Sequence, residues 1–156
     1  MTKNLKFYII FLFLLSCGYT PVYQINKNSN IKIDIINFSG DKNISREIIR
    51  GLENFRKNDA KNVLDLDFSA LKKESIVTKD KKGNATSYKL VLTVNTYLTN
   101  KINNKNYEKK FTKETTFNSK NNKFELDQLK INIEKNMITQ ILQDISIFLG
   151  FIGNDL

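Results

Sequence analysis

The stretch from Thr86 to Asn100 constrains the fold more than any other part of the sequence. Alternate residues share one mostly apolar face, formed by Tyr88, Leu90, Leu92, Val94, Thr96 and Leu98, and the other face carries Val91, Thr93, Asn95 and Tyr97. A period of two places successive side chains on opposite faces of a strand. The stretch therefore predicts a long strand with one face against a core, which a second layer has to cover.

A strand and a helix are predicted ahead of it. Residues 31–36 alternate apolar and polar side chains and predict a strand, which turn residues at 37–41 close. In the helix that follows, Ser45 is the expected N-cap, and Ile44 is expected to pack on Ile49 as a hydrophobic staple. Its apolar residues recur at helical spacing: Ile48, Ile49, Leu52 and Phe55. Every arginine of the chain lies on this helix, at Arg46, Arg50 and Arg56. They form either a solvated face of the helix or an anion-binding face.

The long strand is expected to be the middle one of an antiparallel meander. Residues 63–69 alternate in the same way, and a change of parity near residues 71–73 predicts a β-bulge. Residues 79–84 and 101–106 predict the two turns, the first with Gly83 where a positive φ is needed. The last strand is indicated by Tyr107, Phe111, Thr115 and Phe117.

A long amphipathic helix follows the strands. Its apolar stripe consists of Leu126, Leu129, Ile133, Met137, Ile141, Ile145, Phe148 and Ile152, and Ile131, Ile138, Leu142 and Leu149 widen it. Asn122 and Glu125 resemble a capping box, and Gly150 and Gly153 predict the end of the helix. Its polar face carries acids and amides rather than a row of lysines, which favours packing on the sheet over lying on a membrane. The order β-α-β-β-β-α predicts an α+β fold, in which two helices pack on one face of a four-stranded, mostly antiparallel or mixed sheet.

The N-terminal residues resemble a bacterial lipoprotein signal. Two lysines and no acid precede an apolar run from Phe7 to Leu15, which is too short to span a bilayer. Leu14-Leu15-Ser16-Cys17 fits a lipobox, and Cys17 has no second cysteine as a disulfide partner. We expect residues 1–16 to be a cleaved signal peptide, residues 17–30 a lipidated N-terminus and tether, and residues 31–156 a single domain. Several acyl chains, palmitate among them, would anchor Cys17 firmly. The alternative is an ordinary signal peptide with an incidental cysteine.

The composition narrows the range of functions. The chain has no histidine and one cysteine, which excludes metal sites of nitrogen and sulfur ligands and nucleophiles that depend on histidine. Its glycines stand apart from one another, so no phosphate-binding loop is recognisable. We expect a protein that is not an enzyme and binds no cofactor or metal. The formal net charge of +9, which falls to +7 without Lys3 and Lys6, would suit nucleic acid. No nucleic-acid motif is present, however, and the export signal contradicts that role.

The residues after the cysteine resemble a known family. Cys17-Gly18-Tyr19-Thr20-Pro21-Val22-Tyr23 is similar to the mature start of the LptE family of lipopolysaccharide-assembly lipoproteins, although that family commonly has arginine at the position of Thr20 and leucine at that of Val22. The hairpin sequence at 80–86 and the long C-terminal helix resemble the family as well. The resemblance implies a lipoprotein on the periplasmic face of the outer membrane. Such a protein plugs the LptD β-barrel, assists its assembly and helps to deliver lipopolysaccharide to the outer leaflet.

The resemblance also implies contact with lipopolysaccharide through basic residues. Clustered ammonium groups suit its phosphates and acidic sugars. The candidates by position are Lys79, Lys81 and Lys82 at the first turn and Lys101 and Lys105 at the second. Solvated surface lysines in a lysine-rich chain are the alternative to a ligand site. The alternative function is a structural accessory lipoprotein of another envelope machine, for barrel assembly or cell-wall synthesis.

Overall fold

The computed structural model describes residues 30–57 and 59–154, which form four strands and three helices. In chain order these are β1 (Ile31–Gly40), α1 (Lys42–Gly51), α2 (Glu53–Arg56), β2 (Asn62–Lys79), β3 (Ala85–Asn100), β4 (Asn106–Asn118) and α3 (Lys123–Asn154). The predicted α+β order is confirmed, with the first predicted helix interrupted at Leu52, where φ is −93° and ψ is 0°. The predicted signal peptide, Cys17 and almost all of the tether lie outside the described residues.

The strands form one mixed sheet in the order β1-β2-β3-β4. β1 and β2 are parallel, and a parallel pair needs a crossover, which α1 and α2 provide. β2, β3 and β4 form the predicted antiparallel meander. In the turn between β2 and β3, Gly83 has a φ of 89°, as its position in the sequence predicts.

One face of the sheet is covered by the helices. The predicted apolar face of β3 is buried, together with the alternating apolar residues of β2, which are Leu64, Leu66, Phe68 and Ala70. α3 buries most of its C-terminal stripe on this face, with Met137, Ile138, Ile141, Ile145, Leu149 and Ile152. Ile131, which the spacing assigned to the stripe, is exposed instead. Among the described residues, no helix has both the length and the apolar character needed to cross a membrane.

Two strand predictions are wrong, because pairing with neighbouring strands determines where β1 ends and keeps β2 regular. β1 continues to Gly40 rather than closing at residues 37–41, because residues 36–40 pair with 66–70 of β2. The predicted bulge near residues 71–73 is absent, since β2 pairs with β3 without interruption from Leu64 to Ile76. Polar residues enter the covered face there because α3 supplies partners: Lys72 lies 2.9 Å from Glu134, and Glu74 lies 2.6 Å from Lys130.

The predicted helix ends are also corrected. The N-cap of α1 is Asp41 and not Ser45, because the Asp41 carboxylate accepts hydrogen bonds from the N–H groups of Asn43 and Ile44 at 2.9 and 3.1 Å. Ile44 therefore lies inside the helix and not before its cap, where a hydrophobic staple would require it. Asn122 does cap α3, accepting from the N–H of Phe124 at 2.9 Å. α3 then continues past both predicted terminal glycines to Asn154, since Leu149 and Ile152 are buried in the core.

Candidate functional site

The five candidate ligand lysines lie at opposite ends of the sheet. Lys79, Lys81 and Lys82 surround the β2–β3 turn, whereas Lys101 and Lys105 lie in the β3–β4 turn. β3, which connects the two turns, has 16 residues. At about 3.3 Å per residue it separates the turns by about 50 Å. The fold therefore divides the candidates into two separate surfaces, and one headgroup cannot contact both.

The three lysines of the β2–β3 turn, named here the hairpin cluster, extend from a well-ordered turn. The Asp80 carboxylate accepts hydrogen bonds from the backbone N–H groups of Lys82 and Asn84, both at 2.8 Å, and from Asn84 Nδ2 at 3.0 Å. These bonds, the Asn84 side chain first, hold the pKa of Asp80 below its usual value. Among the described residues, no carboxylate forms an ion pair with Lys79, Lys81 or Lys82. The hairpin cluster thus presents three exposed lysines that form no ion pair within the described residues, with the Asp80 carboxylate in the same turn.

The lysines of the β3–β4 turn are engaged within the fold. Lys101 Nζ lies 2.6 Å from Asp34 Oδ2 and 3.7 Å from Asp65 Oδ1, so it connects the β3–β4 turn to β1 and β2. The hydrogen bond from Lys101 lowers the pKa of Asp34, and the same contact raises the pKa of Lys101. Lys105 Nζ lies 5.1 Å from the centroid of the Tyr107 ring. A ligand anion at this turn would have to compete with Asp34 and Asp65, which favours the hairpin cluster as the anion-binding surface.

Exposed apolar side chains accompany the hairpin cluster, and our sequence reasoning did not identify them. Ile76 and Val77 near the end of β2 are both exposed, and Phe124 at the start of α3, at the same end of the sheet, is 68% exposed. A sequence signal for them exists, because two adjacent apolar residues of a strand point to opposite faces and cannot share one core. Cations near exposed apolar side chains suit an amphipathic ligand, which has an anionic headgroup and an apolar part.

Of the three arginines, Arg46 and Arg50 line a cleft of about 250 Å³ between α1 and α3, and Ile131 and Lys135 also line it. Their guanidinium groups have local partners. Arg50 pairs with Glu47 at 2.8 Å, Arg56 pairs with Glu53 at 3.1 Å, and Arg46 donates to the Asn43 side chain at 3.3 Å. These bonds favour the solvated-face interpretation of the arginines over an anion site. Within residues 30–57 and 59–154, no group of three or more metal-ligating side chains comes together.

The architecture recurs in solved structures of bacterial proteins. Rare lipoprotein B from Shewanella oneidensis superposes with a TM-score of 0.54 and 13% identity, over 74% of this chain and 90% of that one. The domain has the fold of rare lipoprotein B. The minor lipoprotein from Acinetobacter baumannii gives a TM-score of 0.55 and 13% identity, over 76% of this chain and 92% of that one. A candidate lipoprotein from Caulobacter crescentus superposes with a TM-score of 0.53 and 12% identity, over 88% of this chain and 98% of that one.

At identities this low, the likeness establishes the fold and nothing finer. The sequence matches no protein-family model and no curated protein.

Proposed function

We propose that the protein is an outer-membrane lipoprotein on the periplasmic face, which plugs an LptD-like β-barrel and assists its assembly in lipopolysaccharide transport. The observation that carries the proposal is the fold shared with rare lipoprotein B and with the minor lipoprotein, over 90% and 92% of their chains. Both of those proteins are named as lipoproteins, and here a lipobox-like sequence with Cys17 precedes the same fold. The LptE-like residues 17–23 support the more specific assignment.

In this proposal lipopolysaccharide contacts the hairpin cluster. The three lysines have no ion-pair partner in the described part of the chain, so they are available to phosphates and acidic sugars. Ile76, Val77 and Phe124 supply apolar contact at the same end of the sheet. Lys101 and Lys105 remain candidates for a second, weaker surface, because Lys101 is paired with Asp34.

Purification of the tagged full chain from envelope membranes in mild detergent tests the partner. We expect a β-barrel of the LptD type to co-purify in near-stoichiometric amount. Recovery of no such barrel, in detergent that retains the anchor, would overturn the plug proposal. Recovery of barrel-assembly or cell-wall proteins instead would favour the alternative of an accessory lipoprotein for another envelope machine.

Lipidation is tested separately at Cys17. We expect Cys17→Ser to abolish incorporation of radiolabelled palmitate and to leave an uncleaved or soluble protein, because only the thiol can accept the lipid. Ser16→Ala is the matched control, since it keeps a small residue before the cysteine and should retain the label. Labelling of Cys17→Ser at the level of the control would show that Cys17 is not the anchor.

A further inference from the structure

β4 has a free edge that is regular along its whole length. Among the described residues it pairs only with β3, and the register is unbroken from Asn106 to Asn118. The opposite edge, β1, is interrupted by a register shift between Ile33 and Ile36. Natural sheets protect their edges with short strands, prolines, bulges or charges. Of these devices β4 has only charged side chains, so its backbone is available for pairing with another strand.

Hydrogen bonds at both ends of the β3–β4 ladder indicate which backbone groups point outward. Asn100 N donates to Lys105 O at 2.9 Å, and Ser119 N donates to Thr86 O at 2.8 Å. Because hydrogen-bonded and non-hydrogen-bonded pairs alternate between antiparallel strands, the odd-numbered residues of β4 bond to β3. The even-numbered residues therefore direct their N–H and C=O groups to the free edge, and these residues include Glu108, Lys110, Thr112, Glu114 and Thr116.

A recess of about 360 Å³ lies between this strand and α3. Its lining residues are Lys109, Lys110, Phe111, Thr112, Asp144, Ile147, Phe148 and Phe151. Ile147 is 45% exposed and Phe151 is 67% exposed, so the wall formed by α3 is apolar and accessible. The single acid of the lining, Asp144, is neutralised by Lys113 at 2.7 Å.

The remaining charge beside the edge is positive. Lys109 Nζ lies 5.8 Å from the centroid of the Phe148 ring, on the helix-covered face. Lys110 extends from the opposite, open face. The acids of β4 on that face are already engaged, Glu114 by Lys89 at 2.8 Å and Glu108 by the Tyr97 hydroxyl. Among the described residues, neither Lys109 nor Lys110 forms an ion pair.

We propose that β4 accepts an added strand from a partner protein, in which apolar residues alternate with Asp or Glu. The outward backbone groups of β4 supply the hydrogen bonds, and alternate side chains of the added strand supply specificity. Its apolar residues enter the recess beside Phe148 and Phe151 on the helix-covered face. Its carboxylates then lie on the open face, where Lys110 is unpaired. The proposal does not depend on the partner being the barrel.

The test uses complexes of the full chain solubilised from membranes and a carbodiimide, which joins amines to carboxylates without a spacer. We expect Lys110 to be joined to an Asp or Glu in a segment of another protein with the alternating pattern. Thr112→Pro should lower the yield of this cross-link about tenfold, because it removes one outward N–H and leaves the β3–β4 bonds intact. Thr112→Val, which keeps that N–H, should cross-link like the wild type.

The second variant is the charge reversal Lys110→Glu. The measurement is the amount of the same partner that stays bound, and we expect most of the partner to be lost. Three results would overturn the proposal. The first is a set of cross-links from Lys110 that stay within this chain. The second is a cross-link to a second, isotopically labelled copy of the chain. The third is equal cross-link yield from Thr112→Pro and Thr112→Val when circular dichroism shows that both variants are folded. Loss of the barrel from the complex with retention of the cross-link would overturn the barrel proposal alone.

Discussion

Gly51, at the end of α1, permits a close approach to α3. A Cβ at this position would lie 2.5 Å from Leu142 Cδ1 and 2.7 Å from Leu142 Cδ2. Since these atoms belong to a packed side chain, Gly51→Ala forces Leu142 to move. We expect the free energy of unfolding to fall by about 1–3 kcal/mol, measured by urea denaturation.

A second helical glycine gives the control for this prediction. A Cβ on Gly150 would meet no atom within 4 Å. Gly150→Ala should therefore raise the free energy of unfolding by about 0.5–1 kcal/mol, because glycine is costly inside a helix. The two alanine variants should thus change stability in opposite directions. Equal effects would mean that the Gly51–Leu142 contact does not constrain the packing of α1 on α3.

Asp34 gives a test of the ion pair with Lys101. The hydrogen bond from Lys101 lowers the pKa of Asp34 below its usual value. A carboxylate whose folded pKa is lowered stabilises the fold above its unfolded pKa and loses this contribution as the pH falls through the folded value. We expect Lys101→Gln to return the pKa of Asp34 toward its usual value, measured by carboxyl NMR titration. Lys105→Gln, in the same turn but beside Tyr107, should leave it unchanged.

At the scale of the element, the cap of α1 can be tested directly. Asp41 accepts hydrogen bonds from two N–H groups of the first turn, whereas Ser45 donates its hydroxyl to the Asp41 carbonyl oxygen at 2.7 Å. We expect Asp41→Ala to lower the free energy of unfolding by about 1 kcal/mol in chemical denaturation. Asp41→Asn keeps an acceptor and should stay within a few tenths of wild type. Loss of the same stability from Asp41→Asn would assign the effect to charge rather than capping.

Periodicity predicted every strand and the long helix, but it failed where another element supplied the deciding contact. Lys72 and Glu74 interrupt the alternation of β2 and suggested a bulge, yet they keep the register because Glu134 and Lys130 lie opposite them. The residues around Lys72 and Glu74 do not indicate that their ion-pair partners lie about 60 residues away in the sequence. The predicted end of α3 at Gly150 and Gly153 is wrong for the same reason. Burial of Leu149 and Ile152 in the core outweighs the helix-breaking tendency of Gly150.

At the scale of the whole molecule, the sequence located the candidate lysines in turns but did not place them relative to one another. Lys81, Lys82, Lys101 and Lys105 do lie in exposed turns, and Lys79 is the exposed last residue of β2. Their separation depends on the length of β3, which follows from the alternating pattern. The pairing of Lys101 with Asp34, 67 residues away, depends on the parallel arrangement of β1 and β2, which no local pattern reveals.

This separation predicts that the hairpin cluster alone binds an anionic headgroup at its end of the sheet. Replacing Lys79, Lys81 and Lys82 with glutamate should weaken binding of lipopolysaccharide about tenfold or more at low salt, measured by equilibrium binding to the purified full chain. The difference from wild type should shrink toward 1 M salt, where the screening length falls from about 10 Å at 0.1 M to about 3 Å. Stability should hardly change, because these side chains form no ion pair within the described residues.

A second triple variant with the same change in net charge distinguishes the effect of the hairpin lysines on lipopolysaccharide affinity from the effect of the overall charge. Lys42, Lys61 and Lys135 are exposed lysines away from the β2–β3 turn, and their replacement by glutamate alters the net charge by the same amount. If the hairpin cluster is the binding surface, this variant should retain most of the affinity. If both triples lose the same affinity, long-range attraction to a basic protein accounts for binding, and the lysines of the turn are solvated surface residues. A selective loss from the hairpin triple would instead support binding of the headgroup at the β2–β3 turn, about 50 Å from the β3–β4 turn.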